Sequence, residues 1–337
     1  MKSALITGPG QMEIRETEKP SPKSDEILIR LSQVSICGSD LSVFQGHRPI
    51  DYPHIAGHEA VGFVEAVGTL VQNHKIGDRV VVEPNIPCGQ CRPCRKGKAI
   101  HCDQKRVIGL NQPGCFAEYA CAPAEFCWKI PENISETNAA LIEPVSVAYH
   151  ALAVAKTNPE QKIAILGLGG IGLLLCYLAR KMGYEVWVND LMDFKKELAR
   201  QMGAHIIEAP GSKEEQITAL QKAWNEADID TIFECAGSAV TPTIAIAAAP
   251  KGSQVVLLGL SDKLSEFQAL HVVRNGIQIT PSLIYDHPDD FQAVIRLIET
   301  GAIDPAYLAS KIITLEELPE VMKNFNEEKH CKIAVKI

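Results

Sequence analysis

The 337-residue chain has no apolar run long enough to span a bilayer. Its opening, "MKSALITGPGQMEIRETEKP", alternates apolar and polar residues and lacks the unbroken apolar core of a signal peptide. Both absences predict a cytoplasmic protein. Excess positive charge is missing too: 33 basic against 41 acidic residues give a net charge of −8. That excludes a broad cationic surface for nucleic acid or anionic lipid and leaves a small molecule as the expected partner. Low-complexity tracts and internal repeats are absent, which removes tails and solenoids from consideration. Cysteine is not scarce, but its total of eleven is odd. In a reducing compartment that argues against a complete disulfide framework. With 46% hydrophobic residues the length suffices for two domains with sizeable cores.

Four of the cysteines fall in "CGQCRPCRKGKAIHC", Cys88, Cys91, Cys94 and Cys102, spaced C-x2-C-x2-C-x7-C. An iron–sulfur run with this start has its fourth cysteine sooner and followed by proline, whereas Cys102 comes late and precedes Asp103. Four thiolates suit tetrahedral zinc, and a site closed by four protein sulfurs pins a loop without doing chemistry. The alternative is four metal-free thiols in a surface loop. Arg92, Arg95, Lys96 and Lys98 lie among the ligands and would offset the charge of a zinc tetrathiolate.

Up to about Glu143 the chain is a succession of short β-type runs with turn signals, among them "EILIRLSQVSI", "AVGFVEAVG", "DRVVVEPN", "FAEYACAP" and "FCWKIPE". From Gln161 strand and helix alternate, starting with "KIAILG" and "IGLLLCYLARKMG" and running through "IQITPS". Six apolar strands separated by helices predict an α/β Rossmann domain, an open doubly wound parallel sheet with helices on both faces. Two more helices follow, "DDFQAVIRLIETG" and "LEELPEVMKNFNEE", and a terminal "KIAVKI" strand, expected to return to the first domain. The expected division is 1–145, completed by 282–337, and 146–281.

"KIAILGLGGIG" carries G-x-G-x-x-G at Gly167, Gly169 and Gly172, after a strand and opening a helix. Gly167 serves the tight turn, Gly169 the approach of a pyrophosphate, and Gly172 close helix–strand packing. Gly170 and Ile171 begin the helix, whose free amides and dipole favour phosphate. Eighteen residues past Gly172, Asp190 ends "EVWVND". A carboxylate there accepts the ribose hydroxyls and repels a 2′-phosphate, selecting NAD over NADP, although Lys195 and Lys196 leave an opening for the latter.

Cys37 in "ICGSD", His58 and Glu59 in "AGHEAVG", and Glu143 in "LIEPVSVAYHA" each read alone as packing or surface residues. Together they form a pattern. "GHEAVGFVEAVGTLV", "IGDRV", the four-cysteine lobe, "EP" at Glu143 and Pro144 and the glycine fingerprint resemble the zinc-dependent medium-chain dehydrogenases along essentially the whole chain. The resemblance implies a GroES-like β-rich catalytic domain with the nucleotide-binding domain inserted. It also implies a catalytic zinc in the cleft between them and a homodimer or homotetramer. The strand at Ser253–Leu260 and the segment through "IQITPS" then offer pairing edges. Glu143, where liver-type relatives carry cysteine, resembles the polyol and sugar-acid branch, in which Cys37, His58 and Glu59 or Glu143 hold the metal. Ser39 matches the family hydroxyl that takes the substrate proton. The histidine that often ends the relay is replaced by Ser42, so a water chain or His47 would take its place.

Aromatic residues make up only 6%, too few for a long aromatic-lined pocket, and the loop "FQGHRPIDYPH" is polar. Arg48 in it can pair with a carboxylate. "EKHCKIAVKI" and "VIGLNQPGCFAEYACAPAEFCWKIP" resemble bacterial hexonate dehydrogenases, the group of L-gulonate and L-galactonate 5-dehydrogenases. The resemblance implies oxidation of a sugar acid, L-gulonate to D-fructuronate being the sharpest expectation, with a sorbitol- or threonine-type substrate as runner-up. A sensor that binds nucleotide and metal without turnover is the non-enzymatic alternative.

Overall fold

The computed structural model describes residues 1–325 and 329–337. The chain divides into two compact units, Met1–Glu143 with Phe291–Ile337, and Pro144–Asp290. The second boundary falls later than residue 281. Asp290 accepts a 2.7 Å hydrogen bond from His150 Nδ1 within the second unit, while Phe291 stacks on Trp128 of the first.

The organising strand of the first unit is Glu26–Ser35, whose apolar residues Ile27, Ile29, Leu31 and Val34 are buried in the main core cluster. Burying each is worth about 1.5–3 kcal/mol. It pairs antiparallel with Glu59–Val67, Tyr119–Pro123 and Lys332–Lys336, so the terminal strand does return to this unit. Register has a direct consequence: Ser35 stands opposite Glu59 on one side and Ala334 on the other. The strand stops there, and Cys37 follows as the extended cap of the helix Gly38–Phe44. Three distant segments are thus brought to the end of one strand. The last helix is shorter than its sequence stretch, Leu318–Lys323, and residues 326–328 of that stretch lie outside the described residues.

The second unit is a six-stranded parallel sheet ordered His205–Ile206, Glu185–Asn189, Lys162–Leu166, Thr231–Glu234, Gln254–Leu257, Gln278–Pro281. Ile163–Leu166 and Thr231–Glu234 are buried throughout, as strands covered on both faces must be. Strand order reverses between Lys162–Leu166 and Thr231–Glu234, the switch point at which doubly wound sheets bind dinucleotides. The strand expected as a pairing edge at Ser253–Leu260 is interior, flanked on both sides; the edge on that side of the sheet, among the described residues, is Gln278–Pro281, which the segment through "IQITPS" forms. Its neighbour is interior because the helix Ala269–Asn275 returns the chain for one more parallel pairing.

Candidate active site

The four-cysteine lobe closes as its spacing predicts. The Sγ atoms of Cys88, Cys91, Cys94 and Cys102 all lie within 4.8 Å of one another, with Cys91–Cys94 at 3.3 Å and Cys91–Cys102 at 3.8 Å. Tetrahedral bonds of about 2.3 Å to one zinc imply sulfur–sulfur separations near 3.8 Å. Backbone N–H groups of Cys88 and Gln104 point at Cys102 Sγ, and that of Cys91 at Cys88 Sγ. Such donors favour thiolate: the amides of Gln90 and Cys91 draw Cys88 down to about 6. Burial and the neighbouring thiols push Cys94 up to about 12, since adjacent anions without a cation repel. The donor set fits a structural zinc.

A second convergence joins Cys37, His58 and Glu59, whose ligand atoms lie within 4.8 Å of one another. Asp40, fully buried, organises it: Oδ2 accepts the Cys37 N–H at 2.9 Å, and Oδ1 accepts the Gly57 N–H at 3.0 Å and His58 Nδ1 at 3.1 Å. Holding Nδ1 as donor turns the Nε2 lone pair toward a metal, the carboxylate–histidine arrangement of zinc sites. Burial pulls the imidazolium of His58 down, but Asp40 outweighs it and raises His58 well above its ordinary value. Ser39 Oγ sits 3.4 Å from His58 Nε2, the ring nitrogen that Asp40 does not hold.

Glu59 is not a free carboxylate. The buried Lys332 ammonium donates to its Oε1 at 2.8 Å, to its Oε2 at 2.5 Å, and to the Ile36 carbonyl at 2.9 Å. Glu143, buried in the first turn of the helix Ile142–Ala155, stands outside the 4.8 Å group but acts electrostatically on Lys332, as does Cys37. Asp40, Glu59 and Glu143 crowd carboxyl groups around the single ammonium of Lys332, an excess of acidic groups that a divalent cation would offset.

Sequence reading missed Asp40 and Lys332. Asp40 had a local signal, an acid at the third helical position after Cys37, which completes a capping box. Lys332 had none, because it meets Glu59 only through strand pairing across 273 residues. Ser42 is half-buried and His47 exposed, and neither hydrogen-bonds Ser39. Arg48 is exposed and makes no hydrogen bond or ion pair among the described residues.

In the second unit the glycine fingerprint adopts the geometry its spacing predicts. Gly167 has φ +94°, a Cβ on Gly172 would lie 2.0 Å from the Gly167 carbonyl, and a Cβ on Gly169 would project into open space. That open cradle, beside the N-terminus of the helix Gly170–Lys181, fits a pyrophosphate on the amides of Gly170 and Ile171. Asp190, expected at a ribose, accepts the Leu168 N–H at 2.6 Å and the Met192 N–H at 2.8 Å, tying the strand end to the fingerprint loop. Lys196 is committed to Asp193 and Glu208, while Lys195 rests near the Phe194 ring.

Residues 23–132 match the alcohol dehydrogenase GroES-like domain family and residues 170–300 the zinc-binding dehydrogenase family. A zinc-type alcohol dehydrogenase-like protein of Escherichia coli (strain K12) is 33% identical, over 98% of this chain and 95% of its own. A sorbitol dehydrogenase of Bacillus subtilis (strain 168) is 31% identical over 96% and 93%. The crystal structure of an alcohol dehydrogenase from Escherichia coli CFT073 in complex with NADH superposes with a TM-score of 0.92 at 30% identity, covering 100% of this chain and 99% of that one.

Proposed function

The chain belongs to the zinc-type alcohol dehydrogenases, oxidoreductases of CH–OH groups, and from that membership we propose that it oxidises a secondary alcohol of a polyhydroxylated molecule with NAD. The observation that carries this reading is the convergence of one sulfur, one ring nitrogen and one carboxylate oxygen within 4.8 Å. Three donors hold a zinc and leave one coordination position to the substrate oxygen. Cys37, His58 and Glu59 would be those donors. Glu143 is the second carboxylate, standing by because Glu59 shares both oxygens with Lys332. Zinc, when bound, supplies Lewis-acid polarisation of the substrate hydroxyl.

The chain's own groups do the rest. Asp40 and Lys332 hold His58 and Glu59 in place. Ser39, a hydroxyl beside His58, takes the substrate proton and passes its own outward. Gly169, Gly170, Ile171 and Asp190 hold the dinucleotide that receives the hydride. The balanced change is secondary alcohol and NAD to ketone, NADH and a proton.

For the substrate we favour a sugar acid, with L-gulonate to D-fructuronate first and sorbitol second, the latter supported by the Bacillus subtilis relative's name. The free guanidinium of Arg48 supports a carboxylate. A panel of hexonates and polyols, followed by NADH absorbance with added zinc, should give its highest kcat/KM with a hexonate, and Arg48→Ala should raise the hexonate KM while leaving sorbitol unchanged. A polyol preference would overturn the sugar-acid reading, and no turnover with any member would favour the sensor.

Asp190→Ala should lower kcat/KM for NAD by about 10–100-fold, the scale of a charge-assisted hydrogen bond, and should erase the preference over NADP. Steady-state assays with both nucleotides check this, and an unchanged ratio would count against a ribose role. For partners we favour a homodimer. The edge strand Gln278–Pro281 is paired on one side only among the described residues, and the connection leading into it exposes Leu264, Phe267, Leu270 and Val273. Sedimentation velocity on the intact chain reads this directly.

A further inference from the structure

Glu234 ends the strand Thr231–Glu234, beside the fingerprint strand and on the opposite side of it from Asp190. It is fully buried. Its Oε1 accepts the Ala236 N–H at 2.9 Å and the Thr241 hydroxyl at 2.7 Å, while Oε2, also buried, lies close to the Gly237 and Gly259 amides but forms no well-aligned hydrogen bond among the described residues. A carboxylate left in this condition is expensive, and burial raises its pKa against the pull of Thr241 and nearby amides.

The side chain sits where two loop crests touch. A Cβ on Gly259 would lie 2.4 Å from the Gly237 nitrogen and 2.6 Å from Glu234 Oε2, so the turns after Thr231–Glu234 and Gln254–Leu257 meet around this carboxylate. Two residues past Glu234, Ala236 abuts the fingerprint: a Cβ on Gly167 would lie 2.7 Å from Ala236. Glu234 therefore fixes, through Ala236 and Thr241, the turn against which the glycine loop rests.

Which part of a dinucleotide lies there follows from sheet order. A doubly wound sheet consists of two mononucleotide-binding halves meeting at the switch point. Asp190 marks the half of Lys162–Leu166, Glu185–Asn189 and His205–Ile206 as the adenosine side. Thr231–Glu234, Gln254–Leu257 and Gln278–Pro281 form the other half, the nicotinamide side. We propose that Glu234 is a positioning residue for the nicotinamide half of the cofactor, holding the turn 235–238 and the crest at Gly259 in the arrangement that receives it. This rests on the dinucleotide reading above.

The two halves of the cofactor make the test. Affinities of the wild-type chain, Glu234→Gln and Thr241→Val are measured by calorimetry for NADH and for AMP, which occupies only the adenosine side. The amide of Glu234→Gln keeps the shape but turns a donor toward backbone donors. It should weaken NADH about tenfold, the loss of roughly one strong hydrogen bond, and Thr241→Val should weaken it several-fold, with AMP within twofold of wild type for both. AMP retention shows that the sheet is intact. If Glu234→Gln does not fold, Thr241→Val decides alone. Equal losses for NADH and AMP, or no loss for NADH, would overturn the positioning role. A wild-type chain that binds neither ligand would overturn the dinucleotide reading itself.

Discussion

Cys37→Ala should lower kcat/KM by about 10³-fold or more, the equivalent of some 4 kcal/mol of lost transition-state stabilisation, while zinc content falls from two ions per chain to one. The reasoning is geometric. Cys37 is the only sulfur in the Cys37–His58–Glu59 convergence, and its removal leaves a nitrogen and a carboxylate already shared with Lys332. The four-sulfur lobe is a separate cluster and should keep its ion. NADH affinity, which the proposed reading assigns to the glycine fingerprint, should stay within twofold. Metal analysis, steady-state kinetics and NADH titration on the same preparation check all three. A variant that keeps its activity with one zinc per chain would remove the catalytic metal from this site.

How far the site was legible in the sequence depended on how local each part is. The cysteine lobe spans fifteen residues, and its spacing alone encodes the geometry that the Sγ atoms adopt. The glycine fingerprint is similarly local: turn, open cradle and helix–strand contact are consecutive. Cys37 and His58 belong to separate strand ends and were legible only through the resemblance. Glu143 is buried close to Lys332, but its position relative to the trio depends on where a helix begins, which spacing does not encode. Asp190 was read as a ribose contact, and its grip on Leu168 emerged only with the loop in place. The interior position of Gln254–Leu257 was likewise invisible, because an apolar strand reads the same at an edge as inside a sheet.

Lys332 is the part the sequence hid completely, and its replacement should produce the largest effect on stability. Lys332→Met keeps most of the side-chain volume but leaves Glu59, fully buried, without its cation. Breaking a buried ion pair from one side costs about 3–5 kcal/mol. Burial pulls the Lys332 ammonium down, yet Glu59, Cys37 and Glu143 outweigh this and raise its pKa above the ordinary lysine value. A lysine raised in this way contributes its stabilisation at every pH below that ordinary value and loses it only in strong alkali. The loss in Lys332→Met should therefore be present across the neutral range. A divalent cation beside Glu59 supplies the compensation that the lysine no longer gives. The destabilisation should accordingly be larger in chelator-treated protein than in zinc-loaded protein, and Glu59→Gln added to Lys332→Met should recover much of it in the chelated state. Urea unfolding of the single and double variants, with and without zinc, measures these differences. Equal losses with and without metal would mean that Lys332 serves only the strand pairing and has no part in balancing the charge of the zinc site.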